Sequence, residues 1–306
     1  MTRAITILLM GTLVIAASAD DTAGFAFLQI PVGARSAAMG GAFIAVTEDP
    51  FSLYWNPSNL VSVPDGRVVT AYTGYLMDMQ AGFIGWANPG ENEAMGLSAN
   101  YFYGGSFERT TMSDPMGTGE EFSSNSIALA GSYARRFGQN LSAGITGKFV
   151  YSSIDTYSGN AFLVDLGATY RPPGIGGLTT ALVVRNAGIQ TQAFYEENDP
   201  MPTEITGGAS IKLMSDKLLL AADLTYPLHG DFDLAGGVEY APMDMLFLRA
   251  GTSLQSKNSA NDAGGSFLDA MSFGMGTHWN RLGLDYAYKP FADLGEVHRI
   301  GLGMAL

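Results

Sequence analysis

The most regular feature of the chain is an alternation of apolar and polar positions from about residue 67 to the C-terminus. Ile145, for example, points to one side of an extended chain, while Thr146 and the more distant Lys148 point to the other. Successive side chains of a β-strand point to opposite faces, so each such stretch predicts a strand with one apolar and one polar face. Stretches of this kind are typical of a transmembrane β-barrel, whose strands face lipid outside and a polar lumen inside.

The alternating stretches predict fourteen strands, and single-chain bacterial outer-membrane barrels contain an even number. The predicted strands lie at 67–77, 80–88, 94–104, 126–135, 140–151, 161–170, 178–186, 203–213, 217–226, 231–240, 244–253, 270–279, 281–289 and 296–306. The long gaps, at 105–125, 189–202 and 254–269, each follow an odd-numbered strand, whereas the gaps after even-numbered strands are short. This sorting predicts long loops on the outer rim and short turns on the periplasmic rim.

Aromatic residues cluster near the ends of the predicted strands, on their apolar face. The group at the short-turn rim consists of Tyr133, Tyr170, Tyr240 and Trp279. The group at the long-loop rim consists of Tyr101, Tyr103, Tyr151, Tyr226, Tyr286 and Tyr288. Because aromatic side chains are enriched at both membrane–water interfaces, the two groups predict two girdles around a membrane-embedded barrel.

The polar face carries acidic and basic residues, often of opposite sign on neighbouring strands. We expect them to line the lumen, because an Arg or Lys facing lipid at the midplane would cost about 2–4 kcal/mol. The predicted lumen charges are Lys148, Asp165, Arg185, Asp223, Glu239 and Arg249, together with Glu204, Lys212, Asp285 and Arg299. Asp165 is expected to lie between Lys148 and Arg185. Glu239 is expected to lie beside Arg249, so that cross-strand pairs neutralise these charges.

The first residues have the composition of a secretory signal. Arg3 supplies a positive charge, residues 4–16 are apolar, and residues 17–19 match the small-x-small cleavage rule. The apolar run is shorter than a membrane-spanning helix needs, which argues against a transmembrane anchor. We therefore predict a cleaved signal peptide at 1–19 and a mature chain that begins at Asp20.

The composition argues against several functions. The formal net charge is -13 at pH 7, so the protein would repel the phosphates of nucleic acid. The chain has no cysteine, which excludes disulfide bonds and thiol chemistry. His229, His278 and His298 show no zinc-ligand spacing, and Ser272 would lie about 20 Å from His278 along one strand. We therefore expect no enzymatic activity, no catalytic residues, no metal site and no cofactor.

Residues 20–66 do not alternate and instead contain short motifs rich in small residues. The motif residues are Gly33, Ala34, Arg35, Met39, Gly40, Gly41, Trp55, Asn56 and Pro57. The alanines favour a helix, but the glycines limit any helix here to about two turns. The glycine-rich stretch is not a phosphate loop, because it lacks the Gly-Lys-Ser/Thr ending and the strand–helix context.

On these motifs the segment resembles the PorV/PorQ family of outer-membrane proteins and, more distantly, the FadL-type fatty acid transporters. The resemblance implies an all-β, FadL-like transmembrane barrel of about fourteen antiparallel strands in the outer membrane of a Gram-negative bacterium, surrounded by lipid. It also implies that residues 20–66 fold inside the lumen as a hatch and that residues 67–306 form the barrel. Arg35 is then expected either to pair with acidic lumen residues or to remain an exposed loop charge.

The resemblance also implies a function. The nearer family implies a component of type IX protein secretion that binds or shuttles exported proteins at the outer membrane, and the PorV-like and PorQ-like roles stay open. The FadL type implies an alternative, a transporter for hydrophobic solutes, with a path lined by inward residues near the loops such as Phe102 and Phe247. The expected partners are membrane lipid, proteins of the secretion machinery or exported cargo, and a hydrophobic solute in the alternative, but not nucleic acid. The first long loop mixes charges with Met112 and Met116, which suits protein binding.

Overall fold

The computed structural model describes residues 23–255, 270–291 and 295–306, which form a closed antiparallel β-barrel around an N-terminal segment. Each strand pairs with its neighbours in the chain, and the first strand pairs with the last. The strands are β1 (Arg67–Gly74), β2 (Gln80–Pro89), β3 (Glu93–Glu108), β4 (Glu121–Phe137), β5 (Leu141–Ile154), β6 (Tyr157–Tyr170), β7 (Leu178–Gln192), β8 (Glu204–Leu213), β9 (Leu218–Pro227), β10 (Asp233–Met243), β11 (Leu246–Gln255), β12 (Met271–Trp279), β13 (Leu282–Pro290) and β14 (Glu296–Ala305). The predicted fold class, a barrel of fourteen strands, is confirmed.

Two predicted segments lie outside the described residues: the signal peptide at 1–19 and nearly all of the long loop at 254–269. Within the described ranges, no helix is long and apolar enough to span a membrane. β1 ends at Gly74, earlier than predicted, because Met77 and Asp78 adopt left-handed backbone conformations with φ of 53° and 61°.

The connections divide the barrel into two rims. The short turns on one rim are 90–92, 138–140, 171–177, 214–217, 244–245 and 280–281. The opposite rim carries the longer loops 109–120 and 193–203, and in outer-membrane barrels the rim with the longer loops is extracellular. Large apolar side chains are exposed on the outer surface between the rims, as a lipid-facing band requires; they include Ile84, Leu97, Leu129, Ile145, Leu166, Leu182, Leu224, Leu248, Leu284 and Leu302.

Five neighbouring strands, β3 to β7, are longer than the other strands of the barrel and extend beyond them on the outer side. They contain 14 to 17 residues, whereas about 9–11 residues are enough to cross a membrane. The prediction ended β3 too early because the pairing register shifts between Tyr103 and Ser106, which interrupts the alternation. Beyond this bulge, β3 and β4 continue as a pair as far as Glu108 and Glu121. We name residues 104–125, which project past the outer rim, the outer hairpin.

Residues 23–66 run through the lumen from the outer rim to the periplasmic rim, and we refer to them as the hatch. Near the outer rim the amide of Gly24 donates to the carbonyl of Pro200, and near the periplasmic rim Arg136 donates to the carbonyl of Val61. The hatch contains α1 (Ala34–Ala38), α2 (Ser52–Trp55) and 3₁₀ turns at Ala26–Gln29 and Pro57–Ser62. Its apolar side chains fill the space between these turns and the wall; the largest fully buried ones are Met39, Phe43, Ile44, Leu53 and Leu60.

Candidate functional site

The candidate site is the contact between the hatch and the inward face of the barrel. α1 begins after Gly33, whose φ of +92° favours glycine, and it buries Ala34 against the wall. From this helix, Arg35 Nε and Nη2 donate to the two carboxylate oxygens of Glu239 at 2.8 and 2.7 Å, and Nη1 donates to Asp49 at 2.9 Å. Burial alone would lower the pKa of Arg35, but the two carboxylates raise it above its usual value and keep the guanidinium charged.

On the inward face of the barrel, Glu239 belongs to a series of linked ion pairs. Glu239 also accepts from Arg249 Nε at 2.5 Å, and Arg249 Nη1 donates to Asp285 at 2.6 Å. Glu239 and Arg249 lie directly opposite each other on β10 and β11, as the sequence predicted. Because removing one partner would leave a costly unpaired buried charge, Arg35 and these three wall residues act as one structural unit.

Met39 and the two glycines that follow it pack the hatch onto bare backbone of the wall. Met39 is fully buried, and a Cβ atom added to Gly237 would lie 2.5 Å from its carbonyl oxygen. Gly40, with a φ of +70°, lies against the backbone of Thr252, and Gly41 follows it as the chain leaves α1. Small residues are therefore required on both sides, because any larger side chain would separate the two backbones.

Asn56 ties the lower hatch together with hydrogen bonds. It is fully buried, and its Nδ2 donates to the carbonyl of Ile44 at 2.7 Å and to Thr169 Oγ1 on β6 at 3.0 Å. Its Oδ1 accepts from the amide of Ser58 at 3.0 Å, which caps the last 3₁₀ turn of the hatch. The side-chain amide of Asn56 is thus satisfied on both atoms, as a buried amide must be.

The residues on either side of Asn56 also hold the chain in place. Trp55 Nε1 donates to the carbonyl of Val32 at 2.9 Å, which joins the two halves of the hatch. Pro57 is the first residue of the 3₁₀ turn. A backbone N–H at this position has no partner within the turn, so proline, which lacks an N–H, costs no hydrogen bond there. The carbonyl carbon of Pro57 would lie 2.5 Å from a Cβ atom on Gly144, so the wall has a glycine where the hatch comes closest.

Asp223 contacts the hatch through backbone amides and not through an ion pair. Its Oδ2 accepts hydrogen bonds from the backbone amides of Phe43 and Ile44 at 2.6 and 3.0 Å. Two amide donors stabilise a buried carboxylate much as a charged partner would. This residue therefore binds the middle of the hatch to β9.

Lys148 and Asp165 form the predicted pair, with 2.6 Å between Nζ and Oδ2. Asn186 completes this cluster: its Oδ1 accepts from Lys148 at 2.8 Å, and its amide donates to Asp165 at 2.8 Å. Asn186 has a left-handed φ of 56° and lies at a β-bulge, where two residues of β7 oppose one of β6. The bulge is therefore occupied by a satisfied polar cluster.

Asp165 lies between Lys148 of β5 and the bulge residues Arg185 and Asn186 of β7, as expected, but its ion pair is with Lys148 and not with Arg185. Arg185 forms its ion pair with Glu204 on β8, because the bulge at Asn186 changes the pairing register between β6 and β7. The guanidinium of Arg185 also lies over the rings of two hatch residues, 5.4 Å from the centroid of Tyr54 and 4.9 Å from that of Trp55. Arg185 thus joins the wall to the hatch rather than to Asp165.

Sequence reasoning missed several hatch contacts. Asp49 is the second carboxylate on Arg35, and Asn59, which is buried, donates to the carbonyls of Ile44 and Val46. Asp49 follows Glu48 in a short acidic stretch, and Asn59 follows the Asn56-Pro57 dipeptide; neither position has a sequence signal that identifies its partner. Their roles depend on chain segments that meet only inside the closed barrel.

The inward phenylalanines do not line an open path. Phe102 stacks on Phe27 of the hatch, with 6.5 Å between ring centroids, so it is part of the packing. Phe247 is the second residue of β11 and lies near the periplasmic rim, so its expected position near the outer loops is wrong. The cavity between Phe102, hatch residues 30–33 and strands β1 to β3 has room for about one water molecule.

The outer hairpin differs from the lumen because its side chains face solvent. Met112 and Met116 in loop 109–120 are almost completely exposed. The base of the hairpin is ordered by the ring pair Phe107 and Phe122, with centroids 5.6 Å apart. The hairpin therefore has a fixed stem and an exposed tip that carries methionine among charged residues.

Comparison with solved structures shows similarity to outer-membrane channels of FadL type. The chain is similar to the CymD monoaromatic hydrocarbon channel, with 12% identity and a TM-score of 0.65 over 90% of this chain and 98% of that chain. It is also similar to the Pseudomonas putida toluene transporter TodX, with 12% identity and a TM-score of 0.61 over 89% of this chain and 96% of that chain. A Pseudomonas aeruginosa FadL homologue is similar with 13% identity and a TM-score of 0.61, over 90% of this chain and 99% of that chain. At these identities the similarity shows the fold alone.

No curated protein matches the chain. The family model described as type IX secretion system protein PorV matches residues 17–173, about half of the chain and including the whole described hatch. The family and the barrel together place the protein in the outer membrane. With its closed barrel and its hatch, the chain belongs to the PorV family of type IX secretion system proteins.

Proposed function

We propose that this protein binds exported proteins, or partner proteins of the secretion machinery, through the outer hairpin, while the hatch and barrel serve as a rigid scaffold. The observation that carries the proposal is the exposed pair Met112 and Met116 on a stem that rises above the membrane. Flexible, polarisable methionines adapt to differently shaped surfaces, which suits a site that meets several partners.

The charges of the outer hairpin add selectivity to this surface. Its carboxylates are Glu108, Asp114, Glu120 and Glu121, and its single basic residue is Arg109. Arg109 is engaged at the base, where it donates to Asp155 at 2.6 Å. The hairpin therefore presents a net negative surface, which favours partners with a basic face and repels acidic ones.

Transport of a hydrophobic solute is the competing proposal, and it takes its support from the FadL-like fold. The hatch opposes it, because Arg35 and Asp223 each take part in two hydrogen bonds between hatch and wall, and Asn56 donates one more to Thr169. A solute would need the hatch to break these contacts before it could pass. Protein binding requires no such rearrangement.

We also propose that the role is not enzymatic. Ser272, the nucleophile considered from the sequence, is buried, and its hydroxyl donates to the carbonyls of Ala38 and Gly251. Among the described residues this hydroxyl contacts no base that could activate it as a nucleophile. Within the described ranges, no group of His, Cys, Asp or Glu is placed to hold a metal ion.

The decisive experiment replaces residues 109–120 with Asn-Gly, a two-residue turn that suits the directly opposed pair Glu108 and Glu121. The shortened protein is expected to keep its heat-modifiable migration in gels, which reports a folded barrel, and to lose co-purification of secretion partners and surface display of cargo. Partners that remain bound while uptake of a labelled hydrophobic solute disappears would favour the transporter instead.

Point variants separate the tip from the fold. The double variant M112S/M116S should weaken partner binding at least tenfold, because it removes the apolar atoms and keeps the backbone. Met214 is the matched control: it is an exposed methionine in a periplasmic turn, so M214S should leave binding unchanged. Equal effects of the two changes would contradict a role for the outer hairpin.

A further inference from the structure

Among the described residues, one deeply buried cation of the lumen differs from Lys148, Arg185 and Arg249 in having no carboxylate partner. Arg299 on β14 is only 3% exposed, yet no carboxylate of the described residues lies within 4.0 Å of it and no hydrogen bond satisfies its Nε. The buried cations Lys148, Arg185 and Arg249 each have a carboxylate partner. Burying an unpaired charge lowers the stability of the folded protein by several kcal/mol, and a negative charge bound beside Arg299 would offset this cost.

The surroundings of Arg299 hold further unused hydrogen-bond donors. Its direct neighbour across β1 is Thr73, which is buried and lines the cavity between the hatch and β1 to β3. Asn100 of β3 lines the same cavity. Neither the Thr73 hydroxyl nor the Asn100 side-chain amide bonds to another described residue, so both can donate to a bound group.

A second cation strengthens the positive field. Lys289 projects from the inward face of β13, diagonal to Arg299, and its Nζ lies 5.0 Å from the ring centroid of Phe291. No carboxylate of the described residues lies within 4.0 Å of this Nζ, and the nearby Asp233 is engaged by Ser253 at 2.7 Å. Two like charges at one end of the lumen repel each other unless an anion lies near them.

The walls limit the size of that anion. The cavity is enclosed by Phe27, Phe83 and Phe102 together with hatch residues 30–33, and it has room for about one water molecule. Above it, Tyr75 packs edge-on against Phe102 and Phe291, at 6.5 and 6.3 Å between centroids. A long acyl chain or a multi-atom carboxylate does not fit this space, whereas a halide, a single atom close to water in size, does.

We propose that Arg299 and Thr73 form a binding site for a monatomic anion, a halide, just below the outer mouth of the lumen. The bound anion neutralises Arg299 and holds hatch residues 30–33 against β1 and β14. This site is independent of the outer hairpin and of any exported partner.

The test compares anions of different size on the full chain in detergent micelles, at constant ionic strength. Sodium chloride and sodium bromide should each raise the unfolding temperature in a saturable way, by about 2–4 °C, over sodium acetate and sodium gluconate, whose anions are too large. R299M should lose this response, and R281M, which changes an exposed arginine in a periplasmic turn, should keep it. In gluconate, R299M should be at least as stable as the natural protein, because it no longer buries an unpaired charge.

A second measurement does not depend on a variant that folds. Crystals of the natural protein grown in bromide should show an anomalous peak within about 3.5 Å of the Arg299 guanidinium, the distance of a charge-assisted contact. An unchanged chloride response in R299M, stabilisation by acetate equal to that by chloride, or the absence of a bromide peak at Arg299 would each overturn the proposal.

Discussion

Glu239 in the lumen accepts hydrogen bonds from both Arg35 and Arg249, whereas Glu121 on the outer hairpin is exposed and accepts one from the hydroxyl of Ser106. A glutamate thus stabilises the structure in the lumen, whereas on the outer hairpin it remains accessible to solvent. In the lumen, where water has little access, a charged side chain loses stability when its partner is removed. The ion pairs therefore fix the position of the hatch relative to the barrel. On the outer hairpin, water screens the charges and leaves them available to another protein.

The largest effect is expected where the lumen network is broken. Glu239→Gln removes the charge that Arg35 and Arg249 share, and it should lower the free energy of unfolding by about 3–5 kcal/mol. Denaturant titration of the protein in micelles measures the loss. Glu121→Gln on the hairpin is the matched control and should change stability by less than about 0.5 kcal/mol. Similar losses for both would erase the distinction between the two regions.

The lipid face gives the next largest effect. Ile145→Arg places a charge near the bilayer midplane and should cost about 2–4 kcal/mol in folding into lipid vesicles. Leu141→Arg, on the same face of β5 but at its periplasmic end, should cost about 0–1 kcal/mol. A larger cost at Leu141 than at Ile145 would mean that the membrane boundary lies elsewhere.

Close packing of hatch on wall is tested by a single methyl group. Gly144→Ala would place a Cβ atom 2.5 Å from the Pro57 carbonyl carbon, and it should destabilise the barrel by about 1–3 kcal/mol. Gly147→Ala on the same strand meets nothing within 4 Å and should be nearly neutral. Limited proteolysis of the hatch, compared between the two variants, reports whether the hatch has been displaced.

The smallest effect is expected at the base of the outer hairpin. Arg109→Gln breaks the exposed pair with Asp155, which should cost about 0.2–1 kcal/mol and less at high salt. Unfolding measured at low and at high salt separates this contribution from packing. A loss as large as that of Glu239→Gln would show that the hairpin is part of the structural core.

Part of this architecture is predictable because it depends on local pattern. The two-residue period of strands such as β5 and β6 is present in the sequence itself, and it identified fourteen strands and the residues that face the lumen. The prediction failed where the period is interrupted. The bulge above Tyr103 hid the upper part of β3, and the bulge at Asn186 redirected Arg185 from Asp165 to Glu204.

What the sequence determined by itself is therefore the barrel, its two faces, its membrane band and the family to which its N-terminal motifs belong. Only the tertiary structure decided which residues contact one another inside the barrel. Arg35 binds Glu239 and Asp49, and the hatch at Pro57 packs directly against Gly144. Arg299 has no carboxylate beside it among the described residues. The physical reason is distance along the chain. Periodicity is set by neighbouring residues, whereas these contacts join segments up to 204 residues apart and exist only once the barrel has closed around its hatch.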